Sequence, residues 1–460
     1  MEALQRVTSM KIKEFGEYGG VNPSIEVSTT FTVLDPATLD ELFLGHTGPQ
    51  HGCFLYGRSF NPTVRALGRH LAAMEGTEAA YACSSGMAAI SSTLMALCNS
   101  GDHIVCSSTV YGGTFSLLKS FLPIKCNIST TFVNVNDVDA VTAAINDKTK
   151  VIYAEAQSNP TLVASDLPSL AKIAREKGLK LVVDNTFTPY VVSPVKHGAD
   201  IVVHSMTKFM SGASDIIAGV VCGPARFIDD LMNLHTAGPF MLLGPTMDPK
   251  VASELLLRLP HLPVRMQEHS RRALYFAQGL EALGAKVVYP GLPSHPGHKT
   301  MASITNNGFG FGGVLGIEFE SAELADVFMQ RLQNKHGFGY IAVSLGYFDT
   351  LMCISASSTS SELSADQRAA AGIPSGYLRM SVGITGVVEQ RWEQLRESYE
   401  FVKRVGTSSQ YKAVKVKRHG EDHTAAPILW WHSEGPLSEK AEDDEEVEFC
   451  KLPAKRPRAV

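Results

Sequence analysis

Two stretches decide the fold: Leu181-Val182-Val183-Asp184-Asn185-Thr186 and Ile201-Val202-Val203-His204-Ser205-Met206-Thr207-Lys208. Each is a short apolar run that ends in polar side chains, the pattern of a buried strand leading into a functional loop. The first ends at Asp184. The second ends at two hydroxyls and at Lys208, 24 residues after that aspartate, with Ser211-Gly212 just beyond. A lysine amine can carry an aldehyde cofactor covalently, an aspartate can keep a pyridine nitrogen protonated so that the ring draws electrons, and hydroxyls can bind a phosphate. Those three roles are the needs of pyridoxal 5'-phosphate. The plain alternative is a capping aspartate and a solvated lysine, and this stretch alone leaves the two evenly matched.

Working outward, residues 61–220 alternate between helical and strand patterns. Met87, Ile90, Leu94 and Leu97 recur at helical spacing, followed by the apolar strand 103–107. Val138, Val141 and Ile145 mark a helix, and Val151-Ile152-Tyr153 a strand. Residues 168–177 read as a helix with proline in its first turn and Gly178 past its end. Strands alternating with helices imply a covered parallel sheet with right-handed crossovers, whose ligands sit at the carboxyl ends of the strands. Asp184 and Ser205 fall at such ends. The expected class is α/β, with a large mostly parallel-sheet domain and a smaller C-terminal α+β domain.

Four segments are expected. Residues 1–60, rich in Gly, Pro and Thr, read as an extended N-terminal arm. Residues 61–260 read as the cofactor-binding domain and 261–405 as the smaller domain, with a helix over 270–283 and strands over 313–318 and 378–381. Residues 406–460, with basic and acidic blocks, read as a disordered tail, in which Trp430-Trp431 are the apolar exception.

The chain has 460 residues, 44% hydrophobic and 19% charged, with a net charge of −5. That balance suggests neither nucleic acid nor an anionic membrane as partner, and no apolar run approaches the roughly 20 residues of a membrane span. Eight cysteines are dispersed without CxxC pairs or zinc spacing, so no metal site is expected and free thiols fit a reducing compartment. Lys455-Arg456-Pro457-Arg458 reads as a solvated basic terminus, leaving a cytoplasmic protein as the expectation.

Further motifs carry chemistry. Ser84-Ser85-Gly86-Met87 opens a helix, where a glycine admits an anion to the backbone N–H groups. Tyr111, after a strand, can stack on a pyridine ring or exchange protons, unless it is a buried packing residue. Asn159, restrained by Pro160, can bond a cofactor oxygen or a carboxylate, or simply form a turn. Arg379, flanked by apolar residues, either grips a substrate carboxylate or forms a structural ion pair. Tyr56-Gly57-Arg58 alone is an ordinary loop.

Together these residues resemble the Cys/Met-metabolism family of pyridoxal-phosphate enzymes over about residues 15–405. The motifs are Tyr56-x-Arg58-x-x-Asn61-Pro62-Thr63, Ser85-Gly86-Met87, Tyr111-Gly112, Asp184-Asn185-Thr186, Ser205-x-Thr207-Lys208 and Arg379-x-Ser381-x-Gly383. The resemblance implies fold type I of the pyridoxal-phosphate-dependent transferases, with Lys208 holding the cofactor, Asp184 at its ring nitrogen and Tyr111 stacked on the ring. Gly86, Met87, Ser205 and Thr207 would bind the phosphate. Tyr56 and Arg58 would reach the phosphate of a neighbouring subunit, implying a homo-oligomer, a dimer of dimers. Asn159, Ser344 and Arg379 would hold the α-carboxylate of a small sulfur amino acid.

Departures narrow the expectation. Gly113 stands where bacterial methionine γ-lyases carry cysteine, Ser358-Thr359-Ser360 where many members carry Met-Thr-His, Thr385 where an acid is frequent, and Asp349 where glutamate is usual. The run 357–363, with His204 and residues 241–247, resembles plant-type methionine γ-lyases. The expected reaction is cleavage of the Cγ–S bond of L-methionine, with Lys208 and Tyr111 moving protons. The alternatives are cystathionine γ-lyase, cystathionine γ-synthase or an O-acylhomoserine sulfhydrylase and, more remotely, a non-catalytic scaffold.

Overall fold

The computed structural model describes residues 2–11, 15–233, 235–358, 368 and 372–407. Its larger sheet contains β1 (Ala79–Cys83), β2 (His103–Ser107), β3 (Ser129–Val133), β4 (Thr149–Glu155), β5 (Lys180–Asp184), β6 (Ile201–Ser205) and β7 (Gly219–Gly223). The strand order is β1-β7-β6-β5-β4-β2-β3. Side chains on successive strand residues point to opposite faces, and both faces are covered. Ile152, Ala154, Leu181, Val183 and Val202 join one apolar cluster. Val151, Tyr153, Val182, Ile201 and Val203 join the other. Burial on both faces is why these strands are continuous apolar runs without polar alternation.

Strands β2 to β6 pair in parallel. β7 is what makes the sheet mostly rather than wholly parallel, as expected: it is antiparallel to β6 and to β1. Residues 206–218, which link β6 to β7, contain no helix. Without a crossover the chain returns beside the strand it has just left, running the other way. That return loop carries Lys208.

The helices start and stop as their capping residues dictate. Asn61 accepts hydrogen bonds from the N–H groups of Thr63 and Val64 at the start of Pro62–Glu75, which ends at Gly76 with φ +81. Ser85 caps Gly86–Leu97 through the N–H of Ala88. Asp166 caps Leu167–Lys177, which stops at the left-handed Gly178.

The smaller sheet contains β8 (Lys286–Val288), β9 (Val314–Glu318), β10 (Gly339–Ile341), β11 (Thr350–Ile354) and β12 (Tyr377–Ser381), in the order β10-β11-β12-β9-β8. β10 and β11 are parallel and the other pairs antiparallel. Helices Leu262–Ala282 and Ala322–Gln330 pack against this sheet, and both also contact helix Val388–Thr407.

The N-terminal arm corrects the expectation of a wholly extended segment. Glu2–Lys11 and Ala37–Phe43 are helical. Ala3 and Val7, one helical turn apart, are buried in the cluster that contains Leu67 and Leu71. The apolar positions Ala3, Leu4, Val7 and Met10 follow helical spacing, but the segment is too short for that period to stand out. The final helix also runs to Thr407, two residues past the expected end of the smaller domain at 405. Residues 408–460, including the tail's tryptophans and basic patch, lie outside the described residues, as do residues 359–363 of the run taken to mark the subfamily.

Three adjacent parallel strands end at the same edge: β4 at Glu155, β5 at Asp184 and β6 at Ser205. Beside them, Gly219 of β7 opposes Ser205, and a Cβ there would lie 2.0 Å from the carbonyl oxygen of Ser85. The helix start at Ser85 can therefore approach β7 only because residue 219 has no side chain. Gly219→Ala should lower stability by about 1–3 kcal/mol through overpacking. The measurement is the urea unfolding midpoint, with the dependence on denaturant unchanged; an unshifted midpoint would mean that the helix start moves freely.

Candidate active site

The strand ends form the floor of a cavity of about 300 Å³. Its lining includes Gly86, Met87, Tyr111, Asn159, Asp184, Ser205, Thr207, Lys208, Ser344 and Arg379. Ten of the twelve residues singled out in the sequence thus meet in one place, although 293 positions (379 − 86) separate the first of them from the last.

Lys208 Nζ donates to Ser344 Oγ at 2.8 Å, a neutral partner. Burial, and then the nearby positive charge of Arg379, pushes its amine down to about 8. Ser344 has φ +90, which a residue with a Cβ rarely adopts. The strained residue serves two contacts, because its carbonyl also accepts from Arg379 Nη2 at 2.8 Å. Gly346, at φ +77, lets this loop lie on the backbone of Lys208 and Phe209: a Cβ there would sit 2.3 Å from the nitrogen of Phe209.

Arg379 is 2% exposed and holds Asn159 Oδ1 at 2.8 Å through Nη1. Both of its acceptors are neutral, and no carboxylate among the described residues forms an ion pair with it. The structural ion pair considered from the sequence is therefore absent there. A buried guanidinium that lines a cavity and has only neutral protein acceptors is suited to receive an anionic group.

Asp184 is buried. Its Oδ1 accepts from the N–H of Thr186 at 2.9 Å, and the hydroxyl of Tyr153 lies 3.5 Å from Oδ2. Burial raises its carboxyl above the ordinary value, opposed by the hydrogen bonds from Thr186. Thr186 also accepts from the N–H of Ser205 at 2.8 Å, tying the ends of β5 and β6 together. Thr207 Oγ1 bonds both backbone groups of Ala218, which closes the loop around Lys208.

At the other end, a Cβ on Gly86 would lie 2.7 Å from Ser205 Cβ, so the helix N-terminus and the end of β6 form one cradle. Tyr111 is not the buried packing residue considered from its sequence context: it is 43% exposed and lines the cavity. Gly113 gives its ring room, since a Cβ there would lie 2.6 Å from Tyr111 Cε1.

Tyr56 and Arg58 do not reach this cavity within their own chain. Arg58 lies over the Tyr56 ring at 5.5 Å and donates to the carbonyl of Met241 at 2.8 Å.

The sequence reading missed Glu155 and Gln157. Glu155, buried at the end of β4, accepts from the N–H groups of Tyr111 at 2.7 Å and Asn159 at 2.9 Å. Its position at a strand end, like that of Asp184, was the available signal. Gln157 lines the cavity with neither amide atom hydrogen-bonded; nothing in its local sequence marks it. No set of three or more metal-binding side chains occurs among the described residues, and none of their helices is long and apolar enough to cross a membrane.

Residues 6–390 match the family model for Cys/Met metabolism PLP-dependent enzymes. A methionine gamma-lyase of Arabidopsis thaliana is 54% identical over 387 residues, covering 84% of this chain and 88% of the relative. A cystathionine gamma-lyase of Bacillus subtilis is 38% identical over 339 residues, covering 73% and 86%. Among solved structures, an O-acetylhomoserine (thiol)-lyase from Campylobacter jejuni, which contains N'-pyridoxyl-lysine-5'-monophosphate, aligns with a TM-score of 0.79. It is 27% identical, and the alignment covers 87% of this chain and all of that one. The α/β architecture with its larger, mostly parallel sheet and smaller second sheet is thus that of pyridoxal-phosphate enzymes, and this chain belongs to the Cys/Met metabolism PLP-dependent enzyme family.

Proposed function

We propose that this enzyme cleaves the Cγ–S bond of L-methionine, releasing methanethiol, 2-oxobutanoate and ammonia. The observation that carries the reading is the buried Arg379, held by Asn159 and Ser344 without an acid and linked through Ser344, which each contacts at 2.8 Å, to a lysine of lowered pKa. Such a site asks for a carboxylate beside a basic amine, as an α-amino acid supplies. The 54% identity to a methionine gamma-lyase supports methionine over the other sulfur amino acids of the family.

The cavity fits pyridoxal 5'-phosphate. Lys208 would hold it covalently, Asp184 would face its ring nitrogen, and Tyr111 would cover the ring. Gly86, Met87, Ser205 and Thr207 would form the phosphate cradle, which a Cβ at residue 86 would fill. Bound there, the cofactor supplies an electron sink for charge that develops at the substrate's Cα. Arg379, with Asn159 and Ser344, fixes the substrate carboxylate and so orients Cα towards Lys208. Freed when the substrate's amine takes its place, the neutral Lys208 amine takes the Cα proton, and a proton is then lost from Cβ so that the Cγ–S electron pair can depart with the sulfur. Tyr111 gives a proton to the sulfur as it leaves.

Product analysis with methionine, cystathionine and cysteine in parallel tests the substrate. Methanethiol and 2-oxobutanoate from methionine are expected. Turnover of cystathionine without methanethiol would move the enzyme to the lyases or synthases, and a purified chain without cofactor absorbance would restore the scaffold alternative.

The proposal includes a cytoplasmic homotetramer and the segments 1–60, 61–260, 261–405 and 406–460. The arm exposes Tyr18, Val21, Val27 and Leu34, apolar surface that another subunit would cover. Tyr56 and Arg58, idle in their own chain, would then complete a neighbour's phosphate site.

Lys208→Ala should abolish turnover and borohydride-fixable cofactor while the oligomer persists. In the unsubstituted apoprotein, cofactor attachment needs the free amine. Because the fold lowers the lysine pKa to about 8, the attachment rate should rise with pH through about 8 and level off above it. A rise centred near 10 would mean a solvated lysine.

Arg379→Lys should raise KM by roughly 10- to 100-fold with a smaller change in kcat, because an ammonium cannot grip a carboxylate bidentately. An unchanged KM would remove Arg379 from substrate binding.

Mixing inactive Arg58→Ala chains with inactive Lys208→Ala chains should restore part of the activity, because some mixed sites regain both residues. No recovery in properly mixed oligomers would refute a shared site.

A further inference from the structure

We infer that Glu155 is a positioning residue that holds Tyr111 and Asn159 as one unit in the lining of the cavity; this rests on the reading of the cavity given above. Glu155 is 5% exposed, and its two oxygens divide their work. Oε1 accepts from the N–H of Tyr111 at 2.7 Å and Oε2 from the N–H of Asn159 at 2.9 Å. The two N–H groups come from separate loops, one after β2 and one after β4. Neither N–H group donates to a backbone carbonyl, and a buried donor must find an acceptor. The carboxylate is itself fixed at its own backbone, because its carbonyl accepts from Ser165 Oγ at 2.7 Å.

The placement is electrostatically costly. Glu155 stands directly opposite Asp184 in the parallel pairing of β4 with β5. Burial first, and then the Asp184 charge, holds the Glu155 carboxyl well above the usual carboxylate range. A glutamine would avoid that repulsion and fill the same volume, but it has one oxygen where the two loops need two acceptors. The acid is therefore explained by its double acceptance. What it holds is functional at both ends: the Tyr111 ring lines the cavity, and Asn159 Oδ1 receives Arg379 at 2.8 Å. A slack Glu155 would loosen the ring and the guanidinium together.

Glu155→Gln in the full-length holoenzyme should lower kcat/KM about 10- to 100-fold, the range of one or two charge-assisted hydrogen bonds. Cofactor titration of the apoprotein should give a weaker Kd, and the cofactor's visible absorbance and circular dichroism should shift. The deciding measurement is a double-mutant cycle. In Tyr111→Phe and in Asn159→Ala backgrounds, the added cost of Glu155→Gln should be smaller by at least about threefold, because the groups it positions are already compromised. Full additivity in both backgrounds would overturn the proposal. So would a lowered melting temperature with kcat, KM and cofactor spectrum unchanged, since the carboxylate would then be structural alone. If Glu155→Gln does not accumulate as folded protein, Glu155→Asp, which keeps both oxygens but retracts them, carries the same cycle. The cycle is run on whichever amino acid the wild type turns over. Failure to cleave methionine overturns the substrate assignment, whereas the spectrum, Kd and cycle judge Glu155.

Discussion

A buried arginine without an acid is the constraint around which this site is arranged. Arg379 comes from the smaller sheet, yet its two acceptors lie elsewhere: Asn159 after β4 and the carbonyl of Ser344 in the loop before β11. Ser344 in turn accepts from Lys208, which belongs to the β6–β7 return. Four segments are thus joined by three hydrogen bonds, each near 2.8 Å. Neutral acceptors satisfy the geometry of the guanidinium but leave its charge uncompensated. An interior cation of that kind is tolerated when a ligand is meant to complete it. The strained backbone of Ser344 fits the same logic, since local strain persists where surrounding contacts over-determine the conformation.

The larger sheet supplies the opposite sign. β4 and β5 end in carboxylates and β6 in hydroxyls, at adjacent positions on one edge. A parallel sheet delivers its strand ends side by side, so three distant pieces of sequence become one surface. On the far side of that edge, His204 of β6 and Glu75 form a buried pair at 2.8 Å, with Asn185 also donating to Glu75 at 3.4 Å. The motif residues next to Asp184 and Ser205 therefore anchor the strand ends to helix Pro62–Glu75 from below. Placement of the reactive groups rests on this support as much as on the cavity lining.

Much of this was legible in the sequence because the relevant signals are local. Apolar runs that end in Asp184 and Ser205 announce buried strands, and Ser85 and Gly178 mark a helix start and a helix end by their own hydrogen-bonding and backbone preferences. What escaped depends on contacts between distant residues. The direction of β7 follows from the missing crossover in residues 206–218, and β1 is alanine-rich, lacking the branched side chains that signal a strand. Glu155 lies beyond the strand read at Val151-Ile152-Tyr153; its importance lies in two N–H groups, one of them 44 residues away. Tyr56 and Arg58 carried meaning only through the family's pattern; within one chain Arg58 lies over the Tyr56 ring and donates to the Met241 carbonyl instead.

The proximity of Arg379 to Lys208 links binding to basicity. Burial is the larger cause of the lysine's lowered pKa, and the arginine charge is the second. On the proposed reading, an arriving carboxylate neutralises that second cause while leaving burial in place. The lysine then becomes more willing to hold a proton when there is a Cα proton to take. Before substrate arrives, the same two causes bring the amine down to about 8, so that a free base is available at mildly alkaline pH, which suits its other task of carrying the cofactor. One cation placed beside another thus serves both requirements, with the substrate's own charge as the switch between them.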